Sequence, residues 1–276
     1  MVDLREMGQQ RVVYTLPGMD AVTVRKDLTY KALDGVELKM DLYYPADVQK
    51  QIQYPAVILV HGDGPVELLK DAKEHGAFVS LGQLLASMGL IAITFNHRAT
   101  DGWKKLEEAA SDVDDLLIFV RQQAESLQVD KDTLCLWTFS AGAPFGLRTA
   151  LKNAPSYIRG IVSYYGLLDL RGLRPIVPAA TTDETLRELS PICYLENDAQ
   201  SIPPLFIARS GQDRPELNSI LDAFVAQAFK QNVSIAAVNH ATGQHGFDFL
   251  DDNERSREII RQTLDFIKTH LKQDAH

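Results

Sequence analysis

The stretch TLCLWTFSAGAPFG, Thr133 to Gly146, runs apolar and then breaks at a serine set among small residues. Two readings compete for it. In one, Phe139 ends a buried strand and Ser140 caps the following helix, serine being a preferred N-cap residue. In the other, the strand, a sharp turn and the helix form a nucleophile elbow that lifts Ser140 clear of the sheet. The elbow needs small neighbours because strand and helix approach closely, and Ala141, Gly142 and Ala143 meet that need. Upstream, the G-x-S-x-G pattern has glycine where this chain has Thr138.

On either side of this stretch the chain alternates strand and helix patterns. From Val22 to Tyr44 the residues alternate, with Val36, Leu38, Met40 and Leu42 on one face and Glu37, Lys39 and Asp41 on the other. That spacing predicts a half-buried hairpin strand, with its turn at Asp34-Gly35. Thereafter short continuous apolar runs (PAVILVHG, GLIAITFNHR, TLCLWTFS, RGIVSYYG, PPLFIARSG and VSIAAVNHA) predict strands buried on both faces. Three-and-four spacing predicts helices over Lys104–Leu127, Leu217–Ala228 and Ile259–Leu271. The pattern implies a mostly parallel eight-stranded sheet of α/β class, opened by an antiparallel hairpin, with helices on both faces. No linker or repeat interrupts it, so a single domain is expected over 1–276. A small lid is expected between Gly166 and Pro203, with one short helix at Glu184–Leu189.

Composition narrows the function. The chain has 276 residues and a formal charge of -9. A net acidic protein repels the polyanionic backbone of nucleic acid, so no nucleic-acid partner is expected. The first ten residues, MVDLREMGQQ, are polar and charged, and no apolar run reaches the ~18 residues of a membrane span. A soluble cytoplasmic protein with no membrane partner is the expectation. Cys135 and Cys193 are the two cysteines, too few for a zinc site or disulfide framework; Cys135 reads as core. No metal and no cofactor are expected.

In a parallel sheet, residues just after each strand share one edge, where ligands bind. After the third strand comes His61-Gly62-Asp63-Gly64, a loop whose backbone could approach a developing oxyanion or simply turn. If it is an oxyanion loop, the Asp63 N–H should face the site and the Asp63 carboxylate turn away. After the seventh strand lies Asp213, which could equally cap the next helix. After the eighth lie His240, at the strand end, and His245, in the loop. Ser140, Asp213 and His245, each beyond its own strand, follow the order and placement of an acyl-transfer triad. Asp169 is an alternative acid.

These motifs resemble the α/β-hydrolase superfamily, in particular its small esterase and dienelactone-hydrolase-like members. The likeness runs along nearly the whole chain: YKALDGVELKMDLYYP, VILVHGDG, WTFSAG, GQD and HGF. It implies hydrolysis of a small-molecule ester without a cofactor, by Ser140, Asp213 and His245. The N–H groups of Ala141 and of Asp63 or Gly64 would form the oxyanion hole. Thr138, and HGDG in place of HGGG, depart from the common pattern; a fold-retaining but inactive binding module, or a peptidase or lactone hydrolase using the same triad, is the alternative. Arg98, Trp103 and Tyr165 are candidate substrate contacts, although Arg98 also reads as a loop ion pair and only one of Tyr164 and Tyr165 should face the site. His75 reads as a solvated loop or helix-end residue. So brief a lid predicts preference for short acyl groups, acetyl to butyryl, without interfacial activation.

Overall fold

The apolar runs form strands because each buries side chains on both of its faces. In the fifth strand, Leu134 and Leu136 enter one core cluster while Cys135, Trp137 and Phe139 enter the other. In the third, Ala56, Ile58 and Val60 point one way, and Val57 and Leu59 the other. A two-residue period over uniformly apolar sequence requires cover on both sides.

The structure, a computed structural model, describes residues 8–33, 35–175, 177–196 and 200–271. Its strands are β1 Thr23–Leu33, β2 Val36–Tyr44, β3 Tyr54–Val60, β4 Ile91–Phe95, β5 Val129–Phe139, β6 Ile158–Tyr164, β7 Leu205–Ser210 and β8 Ile235–His240. They make one eight-stranded sheet in the order β1-β2-β4-β3-β5-β6-β7-β8. The β1–β2 and β2–β4 pairs are antiparallel and all others parallel. Helices α1 Val66–Leu69, α2 Gly76–Ala86, α3 Leu106–Gln122, α4 Ala143–Lys152, α5 Asp183–Glu188, α6 Pro215–Lys230, α7 Phe247–Leu250 and α8 Glu254–His270 connect and flank them. Apolar residues of α3, α4 and α6 share one core cluster; those of α2 and α8 share the other. None of the described helices is long and apolar enough to cross a membrane.

Some expectations need correction. β8 is not buried on both faces: it pairs only with β7, and Ala236, Ala237 and Asn239 are exposed. A terminal strand has nothing beyond it to complete the cover. Asp41, expected on the polar face of β2, is fully buried, where it pairs with Lys73 at 2.9 Å and accepts the Asp27 N–H. The turn residue Asp34 lies outside the described residues, while its neighbour Gly35 has φ +80°. The lid helix, α5, spans Asp183–Glu188, one residue earlier than expected, and Thr182 caps it by accepting the Thr185 N–H.

At the elbow, Thr138 is buried and spends its hydroxyl on the Val162 carbonyl at 3.3 Å. Its methyl lies against Gly146 of α4, where an added Cβ would sit 2.6 Å from Thr138 Cγ2. The glycine absent at 138 is thus matched by one across the strand–helix contact. Gly146→Ala should therefore cost about 1–3 kcal/mol through overpacking, and adding Thr138→Ala should restore part of it. Urea unfolding of the two single variants and the double variant checks this; strictly additive losses would contradict the shared contact.

Candidate active site

Ser140 follows directly on β5 and adopts φ +52°, a left-handed conformation rare for a residue with a side chain. The strain is held by packing on both sides of the turn. An added Cβ on Gly142 would lie 2.2 Å from the His61 carbonyl oxygen, so the turn is pressed against the end of β3. Beyond it, the Ser140 carbonyl accepts the Leu167 N–H at 3.1 Å. Ser140 to Gly142 form a 3-10 turn before α4, so the α-helix begins two residues after the point implied by reading Ser140 as its cap.

Two loops bring the other members to this serine. The turn after β7 is laced to the loop after β8 by Gly211 N–H to His240 carbonyl, 2.8 Å, and Gln212 N–H to Gly243 carbonyl, 2.9 Å. Gly211 is required there, because an added Cβ would meet the Ala241 carbonyl oxygen at 2.3 Å. The histidine loop is held in turn by Ser210 Oγ on the Gln244 carbonyl and by Asp251 on the Gln244 N–H. As a result His245 Nδ1 lies 2.6 Å from Asp213 Oδ2 and His245 Nε2 lies 2.9 Å from Ser140 Oγ. The Asp213 carboxylate is 5% exposed, against 38% for His245. Burial pushes the Asp213 carboxyl up, but the His245 hydrogen bond and charge, with the Arg214 N–H, outweigh it and hold the pKa below the ordinary value. Asp213 is therefore an anion across the neutral range.

The other candidates separate clearly. Asp169 is engaged by Arg171 at 2.9 and 2.8 Å and by Ser190, which fixes it within the lid. His240 is buried and bonds Ser256 through Nε2. Arg98 is a correction: its guanidinium binds Asp112 and Glu108 at 2.8–2.9 Å and lines a different cavity from Ser140. A guanidinium so matched by two carboxylates has no free fork to offer a substrate. Trp103, at φ +69°, and Tyr165, at φ +39°, both line cavities at Ser140. Tyr164 instead points into the core, against Thr263. His75 is half-buried, directly precedes α2 without a side-chain capping bond, and lines the smaller cavity.

The loop after β3 lies against the elbow. A Cβ added to Gly62 would be 3.3 Å from Ser140 Cβ and 3.7 Å from the Ala141 nitrogen. The Asp63 carboxylate takes both the N–H and the hydroxyl of Thr100, whose Oγ1 also receives the Trp103 N–H. Gly64 borders only the smaller cavity, whereas Asp63 borders both. Beneath this loop the buried rings of His61 and His97 stack with centroids 3.8 Å apart. His61 Nδ1 lies 2.7 Å from the Gly62 carbonyl, which can only accept, so Nδ1 carries the proton and Nε2 accepts the His97 N–H. Burial, followed by the neighbouring His97, holds His61 well below the ordinary histidine pKa. His97 Nε2 in turn lies 3.1 Å from the His61 carbonyl. This clamp was not foreseen from sequence; its signal is a histidine just past each of two adjacent parallel strands.

The strand order and the convergence of Ser140, His245 and Asp213 define an esterase-type α/β-hydrolase. The chain belongs to the BD-FAE family, whose model matches residues 40–219, a span that includes Ser140 and Asp213 and ends before His245. It is similar to the thermophilic esterase Est2 of the Planctomycetes species Thermogutta terrifontis, with TM-score 0.74 and 19% identity over 98% of this chain and 100% of that one. Esterase 2 of that organism phosphorylated by paraoxon gives TM-score 0.68 and 18% identity, covering 91% of this chain and 93% of that one. At such identity the likeness is one of fold. Among curated proteins, the non-reducing polyketide synthase stbA of Stachybotrys bisbyi is 24% identical over 179 residues, 59% of this chain and 8% of the synthase. The chain thus spans less than a tenth of the curated relatives it matches.

A second carboxyl sits beside the site. Asp248 is buried and accepts the Tyr165 hydroxyl at 2.6 Å, and the Tyr165 ring centroid lies 4.5 Å from the His245 imidazole. Burial lifts its pKa to about 6, against the pull of the Tyr165 hydrogen bond. The folded value lies above the unfolded one, so this group's contribution is complete below about pH 4 and is lost as pH rises to about 6. Above that, an ionised Asp248 costs on the order of 3 kcal/mol. Asp248→Asn keeps an acceptor for Tyr165 and removes the charge. It should raise unfolding stability at pH 7.5 and change it little at pH 3.5. Urea titrations at both pH values check this, and an equal effect at each would contradict it.

Proposed function

We propose that this chain is a serine hydrolase that cleaves small carboxylic esters through an acyl-enzyme on Ser140. The observation that carries the reading is the continuous relay from Ser140 Oγ to His245 Nε2, 2.9 Å, and from His245 Nδ1 to Asp213, 2.6 Å. A carboxylate only accepts, so Nδ1 carries the imidazole proton and Nε2 is free to take the serine proton. The Ser140 oxygen then bonds the carbonyl carbon, and negative charge moves to the carbonyl oxygen. Ala141 N–H, in the first turn and without an intrahelical acceptor, and Asp63 N–H receive that charge. Collapse breaks the carbon–alcohol bond, and the imidazolium returns its proton to the leaving oxygen. Water then attacks the acyl-enzyme by the same route, releasing the acid and restoring Ser140. The Asp213 carboxylate stabilises the imidazolium in both halves.

Asp63 in place of a glycine suits this chemistry, since Thr100 occupies its carboxylate and leaves the backbone to the oxyanion. The inactive-module alternative was motivated by Thr138, and Gly146 accommodates that residue. Support also comes from Thermogutta terrifontis Est2, described in propionate-bound and butyrate-bound forms. Ser140→Ala and His245→Ala should each lower kcat by about 10⁴ to 10⁶, with the double variant no worse than either single. Circular dichroism should show unchanged folds. Losses that multiply would contradict a shared relay.

The lid contributes Leu167, Leu173 and Pro175 to the larger cavity beside Ser140, and Arg214 and Glu216 add charged groups to its lining. A long alkyl chain gains about 0.8 kcal/mol per methylene only where an apolar wall buries it, and here it would desolvate two charged groups. The ratio kcat/KM on p-nitrophenyl esters should therefore peak between acetate and butyrate and fall by octanoate. A maximum at octanoate or palmitate would overturn the small-ester reading.

A further inference from the structure

Two cavities meet at Ser140 and are lined differently. The larger, about 530 Å³, is bordered by Ala141, Trp103, Leu173, Leu217, Arg214 and Glu216. The smaller, about 270 Å³, is bordered by His245 and by Leu68, Leu69, Ala72, Phe78 and Phe249. Asp63 and Tyr165 border both. His245 belongs to the smaller cavity and not to the larger.

This asymmetry is sufficient to orient a substrate. In the proposed acyl-enzyme chemistry, the leaving oxygen must lie within hydrogen-bond reach of His245 Nε2, because the imidazolium returns its proton there as the carbon–oxygen bond breaks. The substituent on that oxygen then continues on the His245 side of Ser140. The acyl substituent, attached to the same carbon, points away from the imidazole, into the cavity that His245 does not border. We infer that the smaller, apolar cavity receives the alcohol or phenol of the ester, and that the larger cavity between Trp103 and Leu217 receives the acyl group. This assignment rests on the serine-hydrolase reading above and adds a direction to it.

The linings give each side a chemistry. At about 270 Å³ the smaller cavity exceeds the roughly 150 Å³ that suffices to hold benzene, enough for one aromatic ring or a short branched alkyl group. Its walls are mostly aliphatic and aromatic, so it selects compact apolar alcohols and phenols. The larger cavity combines the Trp103, Leu173 and Leu217 side chains with two exposed charged residues, Arg214 and Glu216. Among the described residues the Arg214 guanidinium has no ion-pair partner. A short acyl group with a polar terminus fits that wall better than an unbroken hydrocarbon.

The two steps of turnover separate the sides experimentally. Acylation depends on both substituents, whereas deacylation begins from an acyl-enzyme that has already lost the alcohol. Leu68→Trp, which narrows the smaller cavity, and Leu217→Trp, which narrows the larger, are compared with the parent enzyme by rapid-mixing kinetics. One ester series holds the acyl group as acetyl and varies the alcohol from methyl to benzyl; the other holds p-nitrophenol and varies the acyl group from acetyl to hexanoyl. Leu68→Trp should reduce kcat/KM for benzyl relative to methyl acetate by about tenfold or more. It should leave the acyl-length profile and the deacylation rate of the butyryl-enzyme unchanged. Leu217→Trp should shift the acyl-length profile toward acetyl and alter deacylation while sparing the benzyl-to-methyl ratio. The opposite pattern, or equal effects of each variant on both series, would overturn the assignment. An initial p-nitrophenol burst in each variant shows a folded, acylating serine. If the parent enzyme neither turns over these esters nor gives a burst, the serine-hydrolase reading falls and the assignment falls with it.

Discussion

The contact between the Ser140 turn and the end of β3 constrains the rest of the site. Gly142 sits so close to the His61 carbonyl that a methyl group has no room between them. That approach fixes Ser140 in a left-handed conformation and sets Gly62 and Asp63 beside the serine. The same two segments thus bring together the serine proposed as nucleophile and the backbone groups proposed to face its oxyanion. Since β3 and β5 are adjacent parallel strands, in register from Ala56↔Leu134 to Val60↔Thr138, the approach follows from sheet order rather than from a long-range fold of the loops.

The remaining parts reinforce this contact from opposite sides. On the β4 side, His97 stacks on the His61 ring and Thr100 donates to the Asp63 carboxylate, so two residues of one loop pack against the segment facing the elbow. On the β7–β8 side, backbone bonds between the two turns hold Asp213 and His245 in register. Preorganised dipoles and a fixed imidazole need little rearrangement as charge develops, and this is where most of the catalytic gain of such sites arises. Asp248 is the counterexample: a buried carboxyl that accepts from Tyr165, whose ring packs on the imidazole, costs the fold stability at neutral pH.

Much of this could be read from the chain. Continuous apolar runs with glycine at their ends mark the strands, and the order Ser140, Asp213, His245 falls at three strand ends along one edge. Those features are local, so sequence carries them. β8 misled because an apolar run looks the same at the edge of a sheet as at its centre; only neighbours in space distinguish the two. The same limit hid the His61–His97 stack and the role of Asp63, which depend on which loops adjoin across β3 and β4. Arg98 read two ways until Asp112, fourteen residues on, was placed against it. Thr138 looked like a defect in the elbow, because the compensating Gly146 lies on the opposite element of the contact.

The central claim is that Ser140 is the nucleophile, activated by His245. Its most direct test is mass spectrometry of the protein after exposure to paraoxon, with peptide mapping of the adduct and parallel assay of p-nitrophenyl acetate hydrolysis. The account predicts an equimolar diethylphosphoryl adduct on the peptide containing Ser140, formed in step with loss of activity and far more slowly in His245→Ala. An adduct on another residue, or full esterase activity with Ser140 replaced by alanine, would contradict it.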